Sequence, residues 1–502
     1  MRRNRNIAVV ATLLLPILAP AATLWWDSNG AAAGASVTPS GTWGISPFWS
    51  TSSTGVLATA NTLTTALDTL IFSAGSDAVG SPLVTVNGVQ SAQLLSIEEG
   101  AVTFSGGTIA LGGATKTSPV GGITVAAGAG NPTVSSSLSI AGAQTFNVGA
   151  GRTLALSAPG NFTRAVGASL NVRGAGSVTA TMTNLAENQG ATGIVGPWAS
   201  FGADASTQYA TFSGSTITGL TGTPAATPAE ITDTTGLVNY DLAVALGALP
   251  ATVSANTIRF TGSANQTTTL GATSFTVNGL MNAGTDQWMI ASNRITIGSD
   301  RELVVNAANH RIEIRSLIQD NPGGASALTV TGKSNVFLSA ANTYTGATTI
   351  SSGKLIIGIT SPTGSLSPRS AIVNHGDFAF KRTNVITQGI EFADVISGSG
   401  LLENDAGSIF GITIFNGTNT YTGPTNIGAG TLSVATIGNG GVPGNLGAAS
   451  SEAANLLFFG TGNGALQYTG TTASTDRNFI AGNGRVAIFE VTNSGTPNLH
   501  RW

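Results

Sequence analysis

Three short stretches place ionisable side chains two residues apart: Asp300 with Glu302, Glu403 with Asp405, and His375 with Asp377. On an extended strand, residues i and i+2 project to one face, so each pair sets two proton-carrying groups side by side. Glycoside hydrolysis needs two carboxyls at a fixed separation. A calcium-assisted lyase needs clustered oxygen ligands beside a basic residue. The local sequence points elsewhere. Asp300 sits in Gly-Ser-Asp-Arg, a turn with an adjacent cation, His375-Gly376-Asp377 reads as a corner, and Glu403-Asn404-Asp405 opens a glycine-containing turn. All three read as solvated corners, so no catalytic, cofactor-binding or metal-binding residue is assigned. There is no Gly-x-Ser-x-Gly elbow with partners, no phosphate loop and no Asp-rich calcium nonapeptide.

Aromatic residues offer a second kind of chemistry. Trp25, Trp26, Trp43 and Trp49 are four of the seven tryptophans. Exposed, they would stack on sugars. Grouped near the N-terminus, they fit better as a cap over the open edge of a strand array. Tyr344 and Tyr421 recur in a duplicated segment and could stack a ligand, but recurrent packing is the simpler reading.

The elements that must carry these residues are short strands. Leu138, Phe146, Leu154, Phe162, Leu170 and Val178 stand 8 residues apart without a break. Two residues on from each come Ile140, Val148, Leu156, Arg164, Val172 and Ala180, apolar in all but one case. Each apolar-x-apolar triplet shows two side chains to one face of a strand. The same step recurs at Leu328, Val336 and Tyr344, and Asn-Gly pairs at Asn29, Asn87, Asn278, Asn416, Asn439, Asn463 and Asn483 read as corners. A meandering antiparallel sandwich or barrel would fit such strands. Brief connections, small corner residues and the length of the pattern favour a β-solenoid, with three sides making a rung of roughly 24 residues. The chain then holds at most about 20 rungs in a rod of roughly 100 Å.

Residues 1–21 read as a signal peptide, with a basic start, the apolar run Ile7 to Ala19 and the small-x-small Ala19-Pro20-Ala21. No later stretch has transmembrane length, so the mature chain is expected to have no transmembrane segment. A cap and solenoid follow over 22–186. A loop or insertion is expected over 187–250, where Trp198, Phe201, Tyr209 and three prolines break the texture and YDLAVALGAL (240–249) is the most helix-like run. The solenoid resumes over 251–502.

Composition narrows the function classes. Lys and Arg number 20 against 23 Asp and Glu, a net charge of −3, and charged residues are 9% of the 502. No basic surface exists for binding nucleic acid through its phosphates. The absence of cysteine removes disulfides, thiolate metal sites and a Cys nucleophile.

Residues 342–355 (NTYTGATTISSGKL) and 419–432 (NTYTGPTNIGAGTL) match at nine of 14 positions, 77 residues apart. This signature resembles the autotransporter-associated β-strand repeat of passenger regions in type V secreted and related exported bacterial proteins. The stretch 328–358 is similar to the family's unit, and 401–435 is a more degenerate copy. WDSNGAAAGASVTPSGTWGISPFWS, GATGIVGPWASFG and LQYTGTTASTDRNF are similar to segments flanking such repeats. The resemblance implies an all-β, right-handed parallel β-helix, export, and a surface or extracellular role, with no catalytic residue and no cofactor. A stalk or adhesin-like passenger is the resulting expectation, with surface glycans or other cells as partners. A secreted glycan-cleaving β-helix is the alternative.

Nothing after 435 reads as the long alternating strands of an outer-membrane barrel. The strand Arg485 to Val491 still follows the pattern, leaving an open last rung through which the chain is expected to self-associate. Leu499 and Trp502 folding back as a lid is the other reading.

Overall fold

The computed structural model describes residues 21–113, 121–185, 190–271, 274–405, 411–460, 462–482 and 484–492. The signal-peptide segment up to residue 20 and the C-terminal Leu499 and Trp502 lie outside them. The chain is an all-β solenoid of about 17 turns, built from parallel strands stacked turn on turn. This falls below the 20-rung limit because connecting segments take up chain that the limit assigned to rungs.

The 8-residue step fixes the geometry of the first half. Leu138 pairs with Phe162, Phe146 with Val172, and Leu154 with Val178, so the same side of each turn stacks on the next. Leu138, Phe146, Leu154, Phe162, Leu170 and Val178 are all buried in one apolar lumen, with alternate residues turned outward. Each turn has three sides, as in Ala143–Val148, Thr153–Leu156 and Phe162–Arg164.

There are two such bodies. Strands from Thr23–Trp26 to Thr216–Gly219 form one sheet system around one core. Strands from Thr223–Ala225 to Ala487–Val491 form two further sheets around a separate core. Between them, the first body closes with an antiparallel hairpin, Gln208–Ser213 against Thr216–Gly219. The segment expected as a loop therefore contains strands. Its most helix-like run holds Asn239–Leu242, which pairs in parallel with Thr257 to Phe260, and Gly247–Ala248. The apolar spacing of that run serves turn-to-turn stacking, and register with the next turn overrides helix propensity.

At the N-terminus, Trp26, Trp43 and Trp49 are fully buried and meet Phe72 edge-on or tilted, with centroids 5.6–6.4 Å from it. The strand Thr23–Trp26 pairs antiparallel with Trp49–Ser50 on one side and in parallel with Thr69–Phe72 on the other. That mixed pairing closes the first rung, and only Trp25 of the four stays half-buried. Trp26, Trp43 and Trp49 thus pack inside the first rung, where their rings are not open to a sugar.

Among the Asn-Gly pairs, Gly30 (φ 74°) and Gly88 (φ 63°) take the positive φ expected, Gly88 where the register shifts inside Leu83–Ala92. Gly279, inside Ser274–Asn282, does not. A Cβ on Gly279 would stand 2.9 Å from Pro197 Cβ and 3.0 Å from the Tyr209 hydroxyl, so this glycine lets the two bodies approach.

Candidate functional site

The outward face of one sheet of the second body is polar yet buried, because the first body covers it. Glu302, Asn306, Thr329, Thr331 and Thr349 project from Glu302–Ala307, Ala327–Gly332 and Thr348–Ile350, each less than a tenth exposed. Leu303, Val305 and Ala307 alternate with them and fill the lumen. The covering segments are 164–173 and 190–209.

Arg164 is the centre of the contact. Its Nη1 and Nη2 donate to Glu302 Oε2 and Oε1 at 2.8 and 2.7 Å, a bidentate pair with side chains 13% and 8% exposed. The backbone N–H of Gly167 (3.1 Å) and the Thr329 hydroxyl (2.5 Å) donate to the same carboxylate. The guanidinium also lies 5.0 Å from the centre of the Trp198 ring, which stacks on Phe162 as well. Ser169 Oγ meets the hydroxyls of Thr331 (2.9 Å) and Ser351 (3.1 Å). Further along, Arg259 holds Asp241 bidentately and donates to the carbonyl of Thr207, and Asn239 donates to that of Thr192. Ile194, Tyr209, Met281 and Ala308 give the contact a small apolar patch.

Beside this contact the two bodies leave a cleft of about 280 Å³. Its walls include Asn171, Trp198, Ser200, Asn306, Thr331 and Ser352. Lys333 pairs with Asp204 at its mouth. Asn306 is 6% exposed, and its side-chain oxygen has no hydrogen-bond donor.

The carboxylate pairs read from the sequence behave differently from solvated corners. Asp300 is exposed, but its neighbour Glu302 is the buried anion of the contact between bodies. Glu403 is bonded to Lys354 and accepts from Asn426, and Asp405 lies 3.9 Å from Lys381, so both are tied to neighbouring turns. His375 is half-buried, 3.3 Å from the Ser399 hydroxyl, and burial lowers its proton affinity. The corner reading fails for Glu302 and Glu403 because strand alternation turns them toward covering groups that lie far away in sequence. Among the described residues, no three of His, Cys, Asp or Glu converge as a metal site, and no helix is long and apolar enough to cross a membrane.

The duplicated signature is a fastening device. Tyr344 and Tyr421 are fully buried, and their hydroxyls bond Thr348 (2.6 Å) and Thr425 (2.7 Å), four residues on in both copies. Burial raises the proton affinity of both phenols, Tyr421 to about 12. Asn342 accepts from the N–H of Ile318 and donates to the carbonyl of Ser365; Asn419 does the same with Ile396 and Asn445. Each asparagine therefore clamps its own turn to the turns before and after.

Sequence reasoning picked out Glu302 beside Asp300 but read it as a solvated corner, and it left Arg164 as the one exception in the apolar triplet series. It missed that the two meet, because nothing local marks a pairing across 138 residues.

The solenoid carries two copies of a repeat of the autotransporter-passenger kind. The passenger-associated-transport-repeat model matches residues 328–357 and 411–434, the two turn groups that contain the clamps. The chain is 31% identical over 278 residues, 48% of its length, to the Adhesin BmaC autotransporter of Brucella suis biovar 1 (strain 1330). It spans about 8% of that relative's length. No solved structure matches it.

Proposed function

We propose that this chain is an exported, non-enzymatic β-solenoid that acts as an adhesin-like passenger at the cell surface or outside the cell, after loss of residues 1–21. The observation that carries this reading is the 31% identity to an autotransporter adhesin. The passenger repeats support it. So does the state of the carboxylates: Glu302 and Glu403 are engaged in ion pairs that hold turns and bodies together, where a hydrolase would need them facing substrate. Surface glycans or other cells are the partners, and the net charge of −3 argues against nucleic acid.

Beads coated with the chain from residue 22 onward should adhere to cells saturably, in competition with the soluble chain and well above albumin-coated beads. The same protein should release no reducing or unsaturated ends from pectins, alginates and other bacterial or plant polysaccharides. Turnover that Asp300→Asn or Asp405→Asn abolishes would replace this reading with the glycan-cleaving one.

A further inference from the structure

We infer that the cleft between the two solenoid bodies binds one neutral, hydroxyl-rich sugar unit of a surface glycan; this deepens the adhesive reading and rests on it. Junctions between folded units are common ligand sites. At about 280 Å³ the cleft lies just below the usual range for ligand pockets, the scale of a single sugar ring.

The wall chemistry selects the ligand class. Asn171, Ser200, Asn306, Thr331 and Ser352 supply amides and hydroxyls, which both donate and accept. Sugar hydroxyls do the same. Trp198 adds an aromatic wall held by its contacts with Phe162 and Arg164.

Asn306 favours a hydroxyl-bearing ligand over a simple anion. A buried polar atom is nearly always hydrogen-bonded, and an exception calls for a cause. The side-chain oxygen of Asn306, a residue of the cleft lining, is buried without a donor, so a ligand O–H or N–H that reaches it supplies the missing partner. A simple anion such as acetate or fully ionised phosphate offers neither; an acidic sugar does through its hydroxyls, so charge must separate neutral from acidic sugars. Lys333 at the mouth is already neutralised by Asp204, whose carboxylate repels an anion. Only Arg173 on the lining would attract one.

The test uses the chain from residue 22 onward and saturation-transfer NMR against methyl glycosides of neutral hexoses and N-acetylhexosamines, with sialic and glucuronic acids as the anionic arm. At least one neutral sugar should bind saturably. Asn306→Ala should weaken it about tenfold or more. Ala203→Trp, made at an exposed residue of the cleft mouth, should abolish it with the thermal midpoint unchanged. Should Asn306→Ala fail to fold, Ala203→Trp decides alone. The proposal is overturned if no sugar binds, if only the acids bind, or if binding survives Ala203→Trp. Beads that adhere while no sugar binds would sink the cleft and leave the adhesive reading standing. Sugar binding blocked by Ala203→Trp on beads that never adhere would do the reverse.

Discussion

Arg164 and Glu302 show how much one pair of side chains can decide. Removing one partner of a buried ion pair strands the other charge and costs about 3–5 kcal/mol, whereas replacing both with apolar groups is often nearly neutral. Arg164→Leu should therefore destabilise the protein by about 3–5 kcal/mol, and Arg164→Leu with Glu302→Leu should recover most of the loss. Chemical denaturation of the wild type, both single variants and the double variant measures the coupling. Asp27 in the N-terminal cap is the opposite case. Burial, helped by nearby Asp77, raises its pKa, and its Oδ2 has no donor. The folded state holds that proton more tightly than the unfolded chain, so the carboxyl favours folding most below its unfolded pKa. That contribution is lost as pH rises through the raised folded value. Asp27→Asn keeps the acceptor for the Asn29 N–H and removes the charge. It should raise the thermal midpoint near neutral pH, and the gain should shrink as the pH falls toward about 4.

Turns of this solenoid were readable where their period was regular. The 8-residue series 138–178 placed its residues in the lumen, and Leu154 does stack on Val178, because three equal sides bring every third strand into register. Residues 240–249 misled because three or four apolar residues in a short run satisfy a helix and a pair of strands equally well. The Asn-Gly glycines were half legible: Gly88 takes a positive φ where the strand register shifts, while Gly279 serves a contact that no local pattern reveals. The repeat was legible as a motif, but its mechanics were not. Asn342 and Asn419 look like turn residues, yet each reaches into the turns on both sides. Asn419→Ala would leave the N–H of Ile396 and the carbonyl of Asn445 without that partner, at about 1–3 kcal/mol for each group orphaned. Urea titration should show that loss, and amide exchange should quicken first over the turns containing 396 and 445.

At the scale of the whole molecule, the division into two bodies was the feature least visible beforehand. The change of texture over 187–250 reads as a loop and not as a boundary between cores, and the central pairing of Arg164 with Glu302 spans 138 residues. Their contact creates the cleft, covers the polar sheet face and explains why Glu302 is not at a corner. The absence of cysteine in the sequence makes the arrangement directly measurable. The hydroxyls of Ser169 in the first body and Ser351 in the second lie 3.1 Å apart. With both replaced by cysteine, mild oxidation should form a single intramolecular disulfide, found by mass spectrometry as a 169–351 cross-linked peptide in nearly all of the protein. Recovery of two free thiols from folded, monomeric protein would contradict the docking of the two bodies.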